Sequence, residues 1–285
     1  MEINLEQILK TFSQKKQNIQ SVHQLLKEIS NLESKREENF HKLRSRLTKL
    51  EKILSNFEME SNIQIVKEWL NKYNTQLNEV AEKYKSKLGI DLEEQLKNIG
   101  LDLSGHIPEL KTSFFTIEVN FDTWKATIWF GPKQEKLKEC PLSAQKIAKE
   151  IEKLRKNLGS KLEKDEFSEK LHIAYNRVVG NKTGEKAQII EVLVELAFLI
   201  QSPRFHQDPK RENFSGYSRA DFSFDLYRFR NDQSNKLFKY EWVLRTATRS
   251  ETTKRSGFLW IPNDEKGNGS SYSYVVFKES KNEST

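Results

Sequence analysis

Cysteine occurs once in 285 residues, at Cys140. That excludes a disulfide within the chain and any zinc site needing several cysteines from one copy, and it makes a reducing cytoplasm the expected compartment. No stretch approaches the roughly 18 consecutive apolar residues of a membrane span. The start, MEINLEQILK, has neither the basic opening nor the apolar centre of a signal peptide. The five histidines, at 23, 41, 106, 172 and 206, form no i, i+4 pair, so no metal ligands and no cofactor are expected. No serine or cysteine stands in a nucleophile elbow. GNKTGEK, at 180–186, is one residue too short for a phosphate loop, has no Ser or Thr after Lys186 and follows no strand, so it reads as a turn. Nothing in this inventory supports catalysis.

What is present is charge and helical period. Charged residues make up 31% of the chain against 36% hydrophobic ones, which suits a modest core and much solvated helix. The net charge of +7 is uneven, with 15 basic against 11 acidic residues over 201–285. That segment holds Arg204, Arg211, Arg219, Arg228, Arg230, Arg245, Arg249 and Arg255. Arginine suits bidentate phosphate contact better than lysine does.

The first hundred residues carry a heptad. One seam position reads Leu5, Phe12, Ile19, Leu26, Glu33, Phe40, Leu47, Leu54, and the other reads Ile8, Lys15, Val22, Ile29, Arg36, Leu43, Leu50, Phe57. Thirteen of these sixteen seats are apolar and neither Pro nor Gly interrupts them, which predicts a coiled coil. After NFEMESN a second heptad runs through Ile63, Val66, Leu70, Tyr73, Leu77, Val80 and Tyr84, with Gly89 as a stop. One long and one shorter helix therefore form an antiparallel hairpin over residues 1–100, the second covering only the later half of the first. A break at SNLE (30–33), a capping-box pattern, would instead give three helices; the unbroken heptad phase favours one. The seam left over, Leu5, Ile8, Phe12, Ile19, Val22, Leu26 and Ile29, must be buried by a second copy of the chain, another protein or the body of this one, and a partner contact is expected there.

Residues 101–160 read as LSGHIPEL, a linker, then FFTIEVNF and WKATIWF, alternating and aromatic, as a β-hairpin closed by Gly131-Pro132. PLSAQKIAKEIEKLRKNLG adds an amphipathic helix capped by Ser143 and stopped at Gly159. Trp124 and Trp129 fit a sheet-to-helix core better than base stacking.

Residues 161–285 hold helical EFSEKLHIAYNRV and GEKAQIIEVLVELAFLIQS, then strand-like LFKYEWVLRTATR, SGFLWIP and SYSYVVFKE. Between them lies GYSRADFSFDLYRFRN, 216–231, on which the functional reading turns. As a helix, Phe222, Leu226 and Phe229 share a face, Ser218 with Asp221 resembles a capping box, and Asp225 with Arg228 is a favourable i, i+3 pair. As a strand its alternation slips at Tyr227. The helix is preferred, and the order of elements is then that of a winged-helix-like domain in an α+β protein. Its third helix would enter the DNA major groove, and TATRSETTKRSG would be the wing. Arg219, Arg228, Arg230, Arg245, Arg249, Lys254 and Arg255 are the expected DNA contacts. The function expected is that of a non-catalytic double-stranded-DNA-binding subunit of a larger assembly, joined to it by the coiled-coil arm. A protein-only adaptor, with the C-terminal domain as a docking platform, is the first alternative. The second is a Mg²⁺-dependent restriction-like nuclease using Asp221 or Asp225, Glu241 with Lys239, and Glu191 or Glu195; the missing Glu-x-Lys spacing weighs against it.

Overall fold

The apolar seam of the N-terminal region is divided among three helices, not two, in the computed structural model, which describes residues 5–55, 61–182, 184–230 and 240–279. Helix α1 (Leu5–Glu33) ends in a turn over 34–39, α2 (Phe40–Leu54) follows, and α3 spans Ser61–Lys97. The single long helix is thus corrected in favour of the break after SNLE. The polar seats Glu33 and Arg36 pair with each other there, and Asn39 Nδ2 donates to the Leu32 carbonyl at 3.1 Å. Heptad seats stay buried through the reversal: Ile29 in α1, then Phe40, Leu43, Leu47, Leu50 and Leu54 in α2. In α3, Leu70, Tyr73, Leu77 and Ala81 are buried, and Arg44 Nη1 of α2 donates to Asn78 Oδ1 at 2.9 Å. Gly89 does not stop α3, because Leu88, Leu92 and Leu96 continue a buried stripe at helical spacing past it.

Residues 101–160 hold five strands instead of two. They form one sheet in sequence order: β1 (Ser104–His106), β2 (Glu109–Thr112), β3 (Phe115–Asn120), β4 (Lys125–Phe130) and β5 (Glu135–Pro141). The LSGHIPEL segment, expected as a linker, supplies β1 and the start of β2, which pair antiparallel with Gly105 opposite Leu110. Helix α4 (Ala144–Asn157) buries Ile147 and Ile151, and Ile147 N–H reaches the Ser143 carbonyl at 2.9 Å.

Further along come α5 (Lys164–Val179), a two-residue strand β6 (Ala187–Gln188), α6 (Ile189–Leu199), a short α7 (Pro203–Gln207) and α8 (Arg219–Arg230). Strands β7 (Tyr240–Thr246), β8 (Leu259–Pro262) and β9 (Gly269–Glu279) complete the chain. The second sheet runs β6-β9-β7, with β8 also on β9. Strands β6, β7 and β8 each pair antiparallel with β9, with Val243 opposite Val276 and Trp260 opposite Ser271. The order expected for the last strands needs correcting, since β7 and β8 both pair with β9 and not with each other. Under this sheet Phe167, Leu171, Tyr175, Ile189, Val192, Leu196, Phe222, Leu226, Val275 and Phe277 form one core.

The chain divides into two compact units, neither continuous in sequence. One comprises Met1–Gln95, Val119–Ala126 and Cys140–Ile147; the other comprises Leu96–Glu118, Thr127–Glu139 and Ala148–Thr285. No helix among the described residues is long and apolar enough to cross a membrane.

In the first unit Trp124 is the hub. Its ring lies 4.2 Å from Phe40, 5.6 Å from Tyr84 and 5.8 Å from Phe121 between centroids. The indole Nε1–H donates to the Glu37 carbonyl at 3.1 Å, just before α2 begins. Tyr84 donates to the Leu142 carbonyl at 3.0 Å, and burial pushes its phenol up to about 12. Trp124 is therefore core, whereas Trp129, in the second unit, is half-buried with its Nε1–H held by Glu118.

Candidate functional site

The segment 219–230 winds as a helix, and its start is a reciprocal cap. Ser218 N–H donates to Asp221 Oδ2 at 2.9 Å, while Asp221 N–H donates to Ser218 Oγ at 3.2 Å. One face carries Phe222 and Leu226 into the core. The other face is not open. Ser223 donates to the Trp260 carbonyl at 2.7 Å, and Gln134 Nε2 donates to Ser223 Oγ at 3.0 Å. Gln134 also accepts from Trp260 N–H, so one amide clamps both sides of the Trp260 peptide. Ala220 N–H donates to Glu135 Oε2 at 2.8 Å, and Phe224 and Tyr227 both meet the edge of Phe114. Helix α8 is packed on two sides.

Its two aspartates hold backbone. Asp221 Oδ1 accepts from Gly159 N–H at 3.0 Å. Asp225, fully buried, accepts from Ser160 N–H at 2.8 Å and Tyr217 Oη–H at 2.7 Å, and pairs with Arg228 Nε at 2.8 Å. Burial raises the Asp225 carboxyl above its ordinary value, against the opposing pull of these donors. Tyr217 is driven well above its usual range, first by burial and then by the adjacent Asp225. Gly159 has φ +79°, and a Cβ there would come within 2.5 Å of Asp225 Oδ1, so only glycine fits.

The three arginines expected to reach DNA from this helix are held by partners within the chain, although Arg228 remains exposed. Arg219 Nη2 donates to the Phe258 carbonyl. Arg228 Nη2 donates to the Ser160 and Leu162 carbonyls at 2.9 and 3.1 Å besides its pair with Asp225. Arg230 Nη1 donates to Tyr272 Oη at 3.0 Å and Asn263 Oδ1 at 3.3 Å. Intramolecular acceptors thus engage donors that a major-groove helix would aim at base edges.

The end of β7 and the turn after it differ. Arg245, Arg249 and Lys254 are exposed; the Arg255 side chain lies outside the described residues. Thr248 N–H and Oγ1–H both donate to Glu251 Oε2, at 2.7 and 2.9 Å, fixing the turn and holding the Glu251 carboxyl down to about 2.

The nuclease ligands are not brought together. Asp221 and Asp225 are consumed as above, Glu195 lies 3.3 Å from Arg177, and Glu191 and Glu241 are exposed. Lys239 lies outside the described residues. Among the described residues no three His, Cys, Asp or Glu side chains cluster as metal ligands.

The N-terminal seam splits. Ile29 is 1% exposed and Val22 and Leu26 are half-buried, but Phe12 is 67% and Ile19 57% exposed. The side chains of Leu5 and Ile8 lie outside the described residues. Glu28 pairs with Arg46, which folds α1 back along α2. Leu54, the last residue of α2, stands eight residues beyond Arg46, and Gln20 stands eight before Glu28. Residues before about Gln20 therefore run past the end of α2, since both helices rise about 1.5 Å per residue. On that overhang Leu9, at 60% exposure, Phe12, Lys16 and Ile19 follow one another at spacings of three, four and three residues, along a single stripe.

A second apolar surface lies on the C-terminal unit. Leu193, Val194, Ala197 and Phe198 of α6, with Phe214 and Tyr217, line an open groove of about 430 Å³. Glu135 and Arg219 close one side, both already bound to backbone.

No protein-family description, no curated protein and no solved structure matches the chain. Sequence reasoning missed Gln134, Glu135, Ser160 and Tyr217. Each acts on a partner at a distance in the chain that no local spacing reports, apart from Tyr217, whose eight-residue reach to Asp225 has no standard motif.

Proposed function

We propose that this protein is a non-catalytic adaptor subunit, joined to a larger assembly by its N-terminal helical arm. The observation that carries this reading is the overhang of α1, where Leu9, Phe12 and Ile19 stand in water along one stripe. Single exposed apolar residues need no explanation, but an aligned stripe on a helix extending beyond its neighbour fits a docking seam. The heptad seats support a coiled-coil geometry for the arm. The order helix, short strand, helix, short helix, helix and then three strands, with β9 between β6 and β7, supports a winged-helix-like C-terminal domain. Such domains bind protein as well as DNA, and the engagement of the α8 arginines by acceptors within the chain favours protein.

The test is the mass of the native assembly. Chain purified under native conditions from its own cells should sediment well above its own 33.5 kDa, and Phe12→Glu with Ile19→Glu should return it to the single-chain mass with unchanged thermal stability. A wild-type chain that sediments alone would reject the adaptor.

A second reading keeps DNA but moves it to the turn. Arg245 near the end of β7 and Arg249 and Lys254 in the turn after it are exposed, and that turn is the position of the wing in this element order. Duplex affinity should then fall steeply with salt, with a slope of roughly −0.9 per phosphate contacted. Arg249→Ala with Lys254→Ala should flatten that slope by about two units and weaken every duplex sequence alike. Binding that ignores both substitutions, measured by titration across salt, would dismiss the wing.

A further inference from the structure

We infer that the exposed stripe of α1 receives an amphipathic helix from a different protein, one whose apolar seam is flanked by carboxylates; this rests on the adaptor reading above. The stripe is long enough. From Leu9 to Ile19 it spans about 15 Å at 1.5 Å per residue, roughly three turns, which is the span read by helix-in-groove partners. Its chemistry narrows the occupant. Lys16 sits within the stripe between Phe12 and Ile19, Lys15 lies beside it, and both are exposed. From Gln7 to Lys27 the chain carries Lys10, Lys15, Lys16 and Lys27 and no Asp or Glu.

A helix laid along Phe12 and Ile19 must therefore cover Lys16 as well. Covering an ammonium without a carboxylate strands its charge in a drying seam, and placing a second lysine there is worse. A second copy of the chain does one or the other. In parallel register it sets Lys15 and Lys16 against themselves. Antiparallel, pairing Phe12 with Ile19 brings Lys16 to the other copy's Lys15, and pairing Phe12 with Lys16 buries the amine against the ring. The nearest acids, Glu6 and Glu28, bracket the stretch from outside, and Glu28 is held by Arg46. Flanking glutamates on a foreign helix meet the requirement, as interhelical pairs beside an apolar seam do in coiled coils.

The experiment uses the full chain and two synthetic helices of about four heptads, identical in their Leu/Ile seam, with Glu or Lys at every flanking position. In a fluorescence-anisotropy titration at low salt the Glu-flanked peptide should bind about tenfold or more tightly than the Lys-flanked one. The gap should close as salt shortens the screening length. Lys15→Glu with Lys16→Glu should reverse the preference, and Phe12→Glu with Ile19→Glu should abolish binding of both peptides. Equal affinities, no binding of either peptide, or binding that survives Phe12→Glu with Ile19→Glu would overturn the inference. So would a wild-type chain that sediments as a dimer broken by that same pair, since the stripe would then belong to a second copy. An assembly lost on Phe12→Glu without any charge preference sinks the acidic partner and leaves the adaptor standing.

Discussion

Asp225→Ala should lower the stability of the C-terminal unit by about 3 kcal/mol or more, read as a fall of roughly 6–12 °C in its thermal midpoint. The carboxylate is fully buried; its Oδ2 accepts from Ser160 N–H and Tyr217 Oη–H, and its Oδ1 lies 2.8 Å from Arg228 Nε as a charge pair. Removing it leaves the Ser160 and Tyr217 donors without their acceptor and Arg228 without its countercharge, and a buried donor without a partner costs about 1–3 kcal/mol. Arg228 recovers part of this through water, because its side chain is 32% exposed. Asp225→Asn should cost less, since the amide oxygen still accepts one bond. The pH dependence separates the variants further. Burial raises the Asp225 carboxyl in the folded state, so between its ordinary value of 3.8 and that raised value the native protein binds more protons than the unfolded chain. Stability contributed by this group accordingly falls as pH rises through that window, and it is restored on acidification. Thermal midpoints from pH 3 to pH 7 should carry that slope in the wild type and lose it in Asp225→Asn. A midpoint unchanged by Asp225→Ala would mean that the cluster is incidental.

Trp124→Ala should be the most damaging change in the other unit, at about 3–5 kcal/mol. The indole contacts Phe40, Tyr84 and Phe121 and ties its Nε1–H to the Glu37 carbonyl, so one side chain joins the start of α2, the middle of α3 and the 121–124 turn. It does so from a left-handed backbone, φ +54°, a strained conformation that persists only where its surroundings over-determine it. Trp124→Phe keeps a ring but drops the hydrogen bond, and should cost about 1–2 kcal/mol. Circular dichroism melts of the full chain would read both, since the helices of this unit dominate its signal. Equal losses for Ala and Phe would place the stabilisation in the hydrogen bond and not in the stack.

Helix α8 was legible because its information is local. Ser218 and Asp221 cap each other three residues apart, and Phe222 and Leu226 fall on one face. The direction of its arginines was not, because their partners, Ser160, Leu162, Phe258 and Tyr272, stand 39 to 68 residues away. Guanidinium groups at a helix end look the same in sequence whether they meet phosphate or a neighbouring carbonyl. The N-terminal seam shows a related limit. Heptad phase records which residues are apolar, and a chain that doubles back can keep that phase intact. Only Glu33 and Arg36 on the seam betrayed the turn, where they pair with each other. The expected uncovered seam ran from Leu5 to Ile29, whereas Ile29 is buried and Val22 and Leu26 half-buried, because the chain doubles back after Glu33. Strands β1 and β2 were missed because SGH and ELKT are too short to show alternation.

The clamp that Gln134 places on the Trp260 peptide also bears on how the chain is made. Residues 114, 134, 135 and 159–162 complete the surroundings of α8 and β8, and all of them leave the ribosome before α8 does. A product of translation that started near residue 161 would expose an unfinished interior. In the full chain the receiving surface is already synthesised when its insert emerges, an order that suits folding from the N-terminus forward.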